Sequence, residues 1–393
     1  MAPLESRPHP QNPDSPSNLS PDASPEVTQE GRRALELLRV VGLTWLILYH
    51  SVLVGNPDNS GALGKLLGQV GHAGYLGTDL LLALAGFLAV GSYQRSRGTG
   101  SWLLRRAIRV FPALALFLGT YLYVIPALLG AFGCAPESLP IYAGLGRARS
   151  VQWMMWTMVA NYLMVWGQRL GAALEPLLTL GLFAQLSVVA AFLLPSRKRV
   201  LWGAGLVALA GVGLRLYWLR ADPYTPYSFP LSRGDGFLLG LVFGVLSRSG
   251  ITRDRLLALR KRLVLVSSIA MLCVVAAIRD EWVSSPWMKL FGYPAVALWS
   301  ASLVLWLANL SALPRPLHAL ARLGPSTYCA YFVKLPLCFL ILQIFPQTKH
   351  LPFPIAALAC VVATWLLAWV WHTSIEGPLV RLGYRLLGDR IAS

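Results

Sequence analysis

One apolar run near the start of the chain carries both an arginine and a histidine. From Arg32 to His50 it reads RRALELLRVVGLTWLILYH, with no charge between Val40 and Tyr49. A helix through this run enters a membrane with Arg39 near one face. His50 follows eleven residues later, roughly 16 Å deeper at 1.5 Å per residue, about half of a bilayer core of roughly 30 Å. Ionisable groups at that depth are costly and mark functional sites. An imidazole there can exchange a proton with a reacting group. The bland alternative is a histidine that only hydrogen-bonds inside a helix bundle.

Its companions are of the right types. In GYLGTDLLLALAGFLAVG, Asp79 lies part-way into an apolar run, beside Ala83, Ala85 and Gly86, whose small side chains allow close helix contact. Its carboxylate could orient an imidazole, pair with an arginine, or simply lock two helices. His50 and Asp79 are therefore the candidate catalytic pair. In SWLLRRAIRVFPAL, Arg106, Arg109 and Pro112 recur every third residue with Arg105 alongside. Residues three apart share a helix face, so Arg106 and Arg109 form a paired cationic site suited to a phosphate. Anionic-lipid binding or plain topological anchoring is the other use of such a run. In PLSRGDGFLLGLVFG, Arg233 and Asp235 could pair or hydrogen-bond a polar acceptor, and Glu376 could pair structurally with Arg381 or Arg385. A mid-membrane base, an inward-facing cation cluster and polar groups on the outer side suit a transfer reaction across a bilayer.

The elements that must position these residues are membrane helices. Of the 393 residues 55% are hydrophobic and only 13% charged, where soluble domains run near 25%. Mean hydropathy is +0.56. The formal charge of +17 would suggest a nucleic-acid partner in a soluble protein. Here membrane topology accounts for much of it, and no nucleic acid is expected. The five cysteines, Cys134, Cys273, Cys329, Cys338 and Cys360, form no CxxC pair, so neither a metal site nor a disulfide framework is read.

Residues 1–30 are rich in Pro, Ser, Asn and Asp, and read as a disordered cytoplasmic tail; a membrane domain is expected over 31–387, with a short tail at 388–393. Apolar segments follow the first at about 72–93, 110–131, 151–166, 177–195, 200–217, 231–247, 263–279, 291–310, 327–346 and 354–373. If all cross, the clusters Arg197–Lys198–Arg199 and Arg253 to Arg262 fall outside. If 151–166, with its three Trp and one Tyr, lies in the interface or re-enters, every large basic cluster returns to the cytoplasm. The expected fold is therefore an all-α polytopic membrane protein. It has about ten transmembrane helices plus one interfacial or re-entrant segment, with both termini cytoplasmic. No internal repeat of the transporter kind is visible.

These stretches resemble the acyltransferase-3 family of integral-membrane acyltransferases over most of Arg32 to Leu387. Arg39 and His50 match its Arg-x10-His motif. Gly74, Gly77, Asp79, Gly86, Phe87 and Leu88 match its G-x-x-G-V-D-x-F-F-x-x-S-G-F-L pattern. Arg106, Arg109 and Pro112 match R-x-x-R-x-x-P, and Arg233, Asp235 and Gly240 match R-x-D-x4-G. Leu323 to Tyr328 with Tyr331 resembles LG-x-x-SY-x-x-YL, and Glu376 with Pro378 resembles E-x-P.

The resemblance implies transfer of an acyl group, commonly acetyl, from cytoplasmic acyl-CoA to a hydroxyl of a glycan, lipid-linked sugar or small metabolite. The setting is the plasma (inner) membrane among its lipids. It implies His50 as the essential histidine, acting as general base or becoming transiently acylated. Arg39, Arg105, Arg106 and Arg109 would bind the CoA phosphates, with Arg233 and Asp235 on the acceptor side. No metal is implied. A non-catalytic exporter of sugar or lipid-linked sugar on the same scaffold is the alternative. Three positions depart from the pattern: Ala85 stands for Ser, Lys334 in YFVKLP for a frequent His, and Phe183 where the Glu of W-x-L-x-x-E-x-Q-F-Y would fall.

Overall fold

Length and apolarity set the architecture. In the computed structural model, residues 27–55, 61–168, 170–219, 224–248, 250–278, 285–344 and 351–388 are described. Helix makes up 86% of the structure, and no strand occurs among the described residues. The expected tail therefore falls mainly outside the described residues, as do 389–393.

In chain order the helices are α1 (Gln29–Val54), α2 (Gly61–His72), α3 (Gly77–Gln94), α4 (Thr99–Gly119), α5 (Ile125–Ala131), α6 (Leu145–Ser150), α7 (Gln152–Trp156), α8 (Asn161–Val165), α9 (Pro176–Leu193) and α10 (Arg197–Tyr217). They continue as α11 (Tyr224–Ser228), α12 (Pro230–Arg233), α13 (Asp235–Leu246), α14 (Gly250–Ile278), α15 (Tyr293–Ala308), α16 (Arg315–Ala321), α17 (Thr327–Phe339), α18 (Phe353–Trp371) and α19 (Gly377–Leu386).

Among the described residues, eight stretches are long and apolar enough to cross a membrane: Gln29–Val54, Gly61–Gln94, Thr99–Ala131, Pro176–Leu193, Arg197–Tyr217, Met288–Ala308, Arg315–Gln343 and Phe353–Leu386. A count of ten adds α13, an apolar helix of 12 residues, and α14, whose first half carries Arg253, Arg255, Arg260, Lys261 and Arg262. The chain is thus a multi-pass helical membrane protein. α3 lies at its centre, with 89% of the apolar window of Gly61–Gln94 buried. α10 lies at the rim, where Trp202 is 82% exposed and Leu206 and Leu209 face outward, as lipid-facing residues do.

Close helix crossings fix the centre. A Cβ on Gly77 would stand 2.3 Å from the Gly42 carbonyl oxygen, so α3 meets α1 backbone to backbone. On the other side of α3, a Cβ on Gly86 would stand 2.0 Å from the Phe237 carbonyl oxygen on α13, and one on Gly240 as close to that of Ala83. Small residues at such crossings replace the hydrophobic effect with packing, as membrane interiors require.

Local contacts set the ends of α1. Thr28 Oγ1 accepts from the Gly31 amide at 2.9 Å and caps α1, which therefore starts within the stretch read as tail. Helix also continues four residues past His50, to Val54. His50 is thus nearer the end opposite the arginines than the middle of its helix.

The stretch 151–166 holds no single helix: α7 and α8 are five residues each, separated by a turn at Met158 with φ of +58°. Asn161 explains the break. Its amide is fully buried and pairs reciprocally with Gln185 of α9, Asn161 Nδ2 donating at 3.2 Å and Gln185 Nε2 returning at 2.7 Å. Asn161 also donates to the Ser228 carbonyl, and Gln185 to that of Met158. A buried primary amide needs such partners, and they hold this segment against α9.

Candidate active site

A cavity of about 190 Å³ opens where α1, α3, α4, α9, α17 and α19 meet. One half is cationic: Arg39, Arg105, Arg106 and Arg109 all line it. Arg106 and Arg109 lie on one face of α4, as their spacing requires. Arg106 sits 5.1 Å over the Trp102 ring and Arg109 5.6 Å over that of Tyr328. Among the described residues neither has a carboxylate within salt-bridge distance. Arg39 is paired with Glu36 at 2.5 Å, one turn back on α1. Arg105 donates to the Arg95 carbonyl at 3.0 Å, while its own carbonyl accepts from the Tyr384 hydroxyl, which draws α19 onto the cavity. The surrounding face is crowded with cations. In the turn after α13, burial and then Arg95 pull the Arg248 guanidinium down to about 10.

The other half is apolar. Leu81, Leu84, Ala85 and Leu88 recur at helical spacing on α3, Leu180 and Phe183 face them from α9, and Tyr328 and Tyr331 close the wall from α17. Two of the three departures from the family pattern, Ala85 and Phe183, thus meet in one cavity wall.

His50 does not line this cavity. It is buried on α1, its ring 5.2 Å from that of Tyr49, and its Nδ1 has no hydrogen-bond partner among the described residues. Among the described residues, Lys334 is the charged side chain close enough to act on it electrostatically. Lys334, the third departure, is fully buried on α17. Its Nζ donates to the Tyr331 carbonyl at 3.1 Å and rests 3.9 Å over the Tyr331 ring. Tyr331 therefore links the cavity wall to the His50 neighbourhood. The next residue on α1, Ser51, lies 3.6 Å from the Cys338 sulfur.

Of the partners open to Asp79, the structure supplies an arginine. Arg233 Nε donates to Asp79 Oδ1 at 2.9 Å and Nη2 to Oδ2 at 2.6 Å, a bidentate pair with Asp79 2% and Arg233 1% exposed. The guanidinium is sandwiched 4.3 Å from the rings of both Tyr227 and Tyr293. No hydrogen bond joins Asp79 to His50 among the described residues, so of the three uses open to Asp79 the arginine pair is the one made.

Of the two uses open to Arg233 and Asp235, pairing with each other is not the one made. Asp235 takes Arg215, whose Nη1 donates to its Oδ2 at 2.5 Å and to the Ser232 carbonyl at 2.7 Å. The α3–α13 crossing sets Asp79 beside the start of α13, within reach of Arg233 at the end of α12, while α10 brings Arg215 to Asp235. Glu376 likewise bonds neither Arg381 nor Arg385: its Oε2 lies 2.7 Å from His372 Nδ1 and accepts from the Cys329 thiol at 3.0 Å.

Arg215, Lys289, Asn161 and the tyrosines around Arg233 were not singled out by the sequence. Arg215 and Lys289 carried the usable signal, since each is a charge at the edge of an apolar run.

An all-helical membrane bundle around a basic cavity, with a buried histidine beyond it, defines the class of protein. The acyltransferase-3 family model, an acyltransferase domain, matches residues 32–372, and the chain belongs to that family of acyltransferases. Comparisons with curated proteins and with solved structures gave no significant match.

Proposed function

We propose that the protein is an O-acyltransferase that moves an acyl group, commonly acetyl in this family, from cytoplasmic acyl-CoA to a hydroxyl of a glycan, lipid-linked sugar or small metabolite. The observation that carries this reading is the pair Arg106 and Arg109, two guanidiniums lining one cavity, neither salt-bridged to a carboxylate among the described residues. Such a pair is set up for phosphate, which CoA provides at one end and a thioester lacks at the other. The apolar half of the cavity then takes the pantetheine arm toward His50. About three helical turns, roughly 16 Å, separate Arg39 from His50, a reach suited to an extended arm.

His50 acts as general base. The acceptor hydroxyl loses its proton to the imidazole as its oxygen forms a bond to the thioester carbonyl carbon. The tetrahedral intermediate expels the CoA thiolate, which recovers the proton from the imidazolium. The Asp79–Arg233 and Asp235–Arg215 pairs act on the other side of His50, holding the helices that frame the acceptor. The bundle sits in the plasma (inner) membrane with ten crossings and both termini cytoplasmic, so that the arginine-bearing face meets CoA. Cysteine labelling that places Arg197–Lys198–Arg199 outside the cell would overturn that arrangement.

The decisive experiment supplies labelled acetyl-CoA and a panel of glycan and small-molecule acceptors to membranes holding the protein. Wild type is expected to transfer the label and His50→Ala to fail. Undiminished transfer by His50→Ala removes His50 from the chemistry. A wild type that transfers nothing yet moves a glycan between compartments is an exporter.

A further inference from the structure

Lys334 is a fully buried basic side chain with no ionic partner among the described residues. It is 0% exposed on α17, and no carboxylate lies within salt-bridge distance among the described residues. Removing such a charge from water without an ionic partner is costly. Of its three N–H donors, one goes to the Tyr331 carbonyl, and the Tyr331 ring takes the cation on its face. No other protein acceptor is in reach among the described residues, which leaves donor capacity for something that is not protein. The position is specific: the ring it rests on lines the cavity, and its field falls on His50.

We infer that Lys334 is a catalytic residue whose ammonium hydrogen-bonds the thioester carbonyl oxygen of the acyl donor and holds the negative charge that develops there. The inference rests on the acyl-transfer reading above. When the acceptor oxygen bonds to the carbonyl carbon, the carbonyl π electrons move onto oxygen while His50 takes the hydroxyl proton. Lys334 neutralises that oxyanion without giving up its proton. The oxyanion then reforms the carbonyl, and the C–S electron pair leaves with the CoA sulfur. A fixed cation in a water-poor site is the arrangement that stabilises such a charge most. The Tyr331 contacts keep the ammonium from swinging away, and Arg106 and Arg109 remain free for the phosphates at the far end of the same donor.

The test uses the full-length protein in detergent with labelled acetyl-CoA and the acceptor found for wild type. Lys334→Met is expected to lower kcat by roughly 10²–10³-fold, the usual effect of losing one oxyanion donor. KM for acetyl-CoA should stay within about threefold, because the contact, already present in the bound donor, strengthens most as the oxyanion develops. Lys334→Arg, which keeps a cationic donor, should recover part of the rate. A second readout needs no variant to fold: the infrared carbonyl band of acetyl-CoA labelled with carbon-13 at the thioester should move to lower frequency on binding wild type.

Equal kcat in wild type and Lys334→Met overturns the assignment, as does an unshifted carbonyl band in wild type. A rise in KM with unchanged kcat reassigns Lys334 to donor binding. If wild type transfers no acyl group at all, the acyl-transfer reading fails and this one with it. If wild type transfers and only the Lys334 results are negative, this one fails alone.

Discussion

Breaking the Asp79–Arg233 pair in a double-mutant cycle separates a structural carboxylate from one that orients the histidine. The two hydrogen bonds, at 2.9 and 2.6 Å, join groups that are 2% and 1% exposed and 154 positions apart in the chain. Removing one partner leaves the other as an uncompensated buried charge, at a cost of about 3–5 kcal/mol. Asp79→Leu strands a guanidinium that keeps only its tyrosine faces, and Arg233→Met strands a carboxylate. Asp79→Leu with Arg233→Met strands neither, and replacement of a buried ion pair by apolar side chains is often neutral. The expected coupling is therefore about 3 kcal/mol or more, far above the few tenths seen between independent sites. The assay is reversible unfolding of wild type, the two single variants and the double variant in mixed micelles of rising denaturing-detergent fraction. Additive single effects would refute the reasoning. So would a folded Asp79→Asn that loses kcat while Arg233→Met keeps it, since that pattern assigns Asp79 to His50.

Other perturbations probe the rest of the site. Arg106→Met and Arg109→Met should each raise KM for acyl-CoA by roughly tenfold with little change in kcat, since a charged hydrogen bond contributes about 1.5–3 kcal/mol; steady-state kinetics across an acyl-CoA titration decides it. Asn161→Leu strands the Gln185 amide and should cost about 1–3 kcal/mol, read as a lower thermal midpoint than wild type. Gly86→Ala places a Cβ about where the Phe237 carbonyl stands, 2.0 Å away. Overpacking of that kind costs about 1–3 kcal/mol or more, so its monodisperse fraction on size exclusion should fall, whereas Gly205→Ala, with open space around it, should leave the fraction unchanged.

Much of the architecture was legible because it depends on local composition. Uncharged apolar runs announce spans, and each predicted run other than 151–166 coincides with a helix or with the basic-then-apolar α14. The arginine spacing of three on α4 was sufficient to place Arg106 and Arg109 on one face, and the structure adds Arg39 and Arg105 to the same cavity. The position of His50 along its helix was less legible. A charge-free run marks where a helix can sit in lipid, whereas the ends of α1 are set by the Thr28 cap and by Val54, which lies beyond the histidine.

By itself the sequence determined the membrane class, the family motifs and the residue types available for chemistry, all properties of neighbours in the chain. Only the tertiary structure decided who meets whom. It gave Asp79 to Arg233 rather than His50, Asp235 to Arg215, and Glu376 to His372 and Cys329. It also brought Ala85 and Phe183 into one wall and set Lys334 on Tyr331. Hydrogen bonds and ion pairs act over a few ångströms. Which side chains come that close is settled by helix crossings, and those crossings are permitted by glycines whose partners lie far away in the sequence.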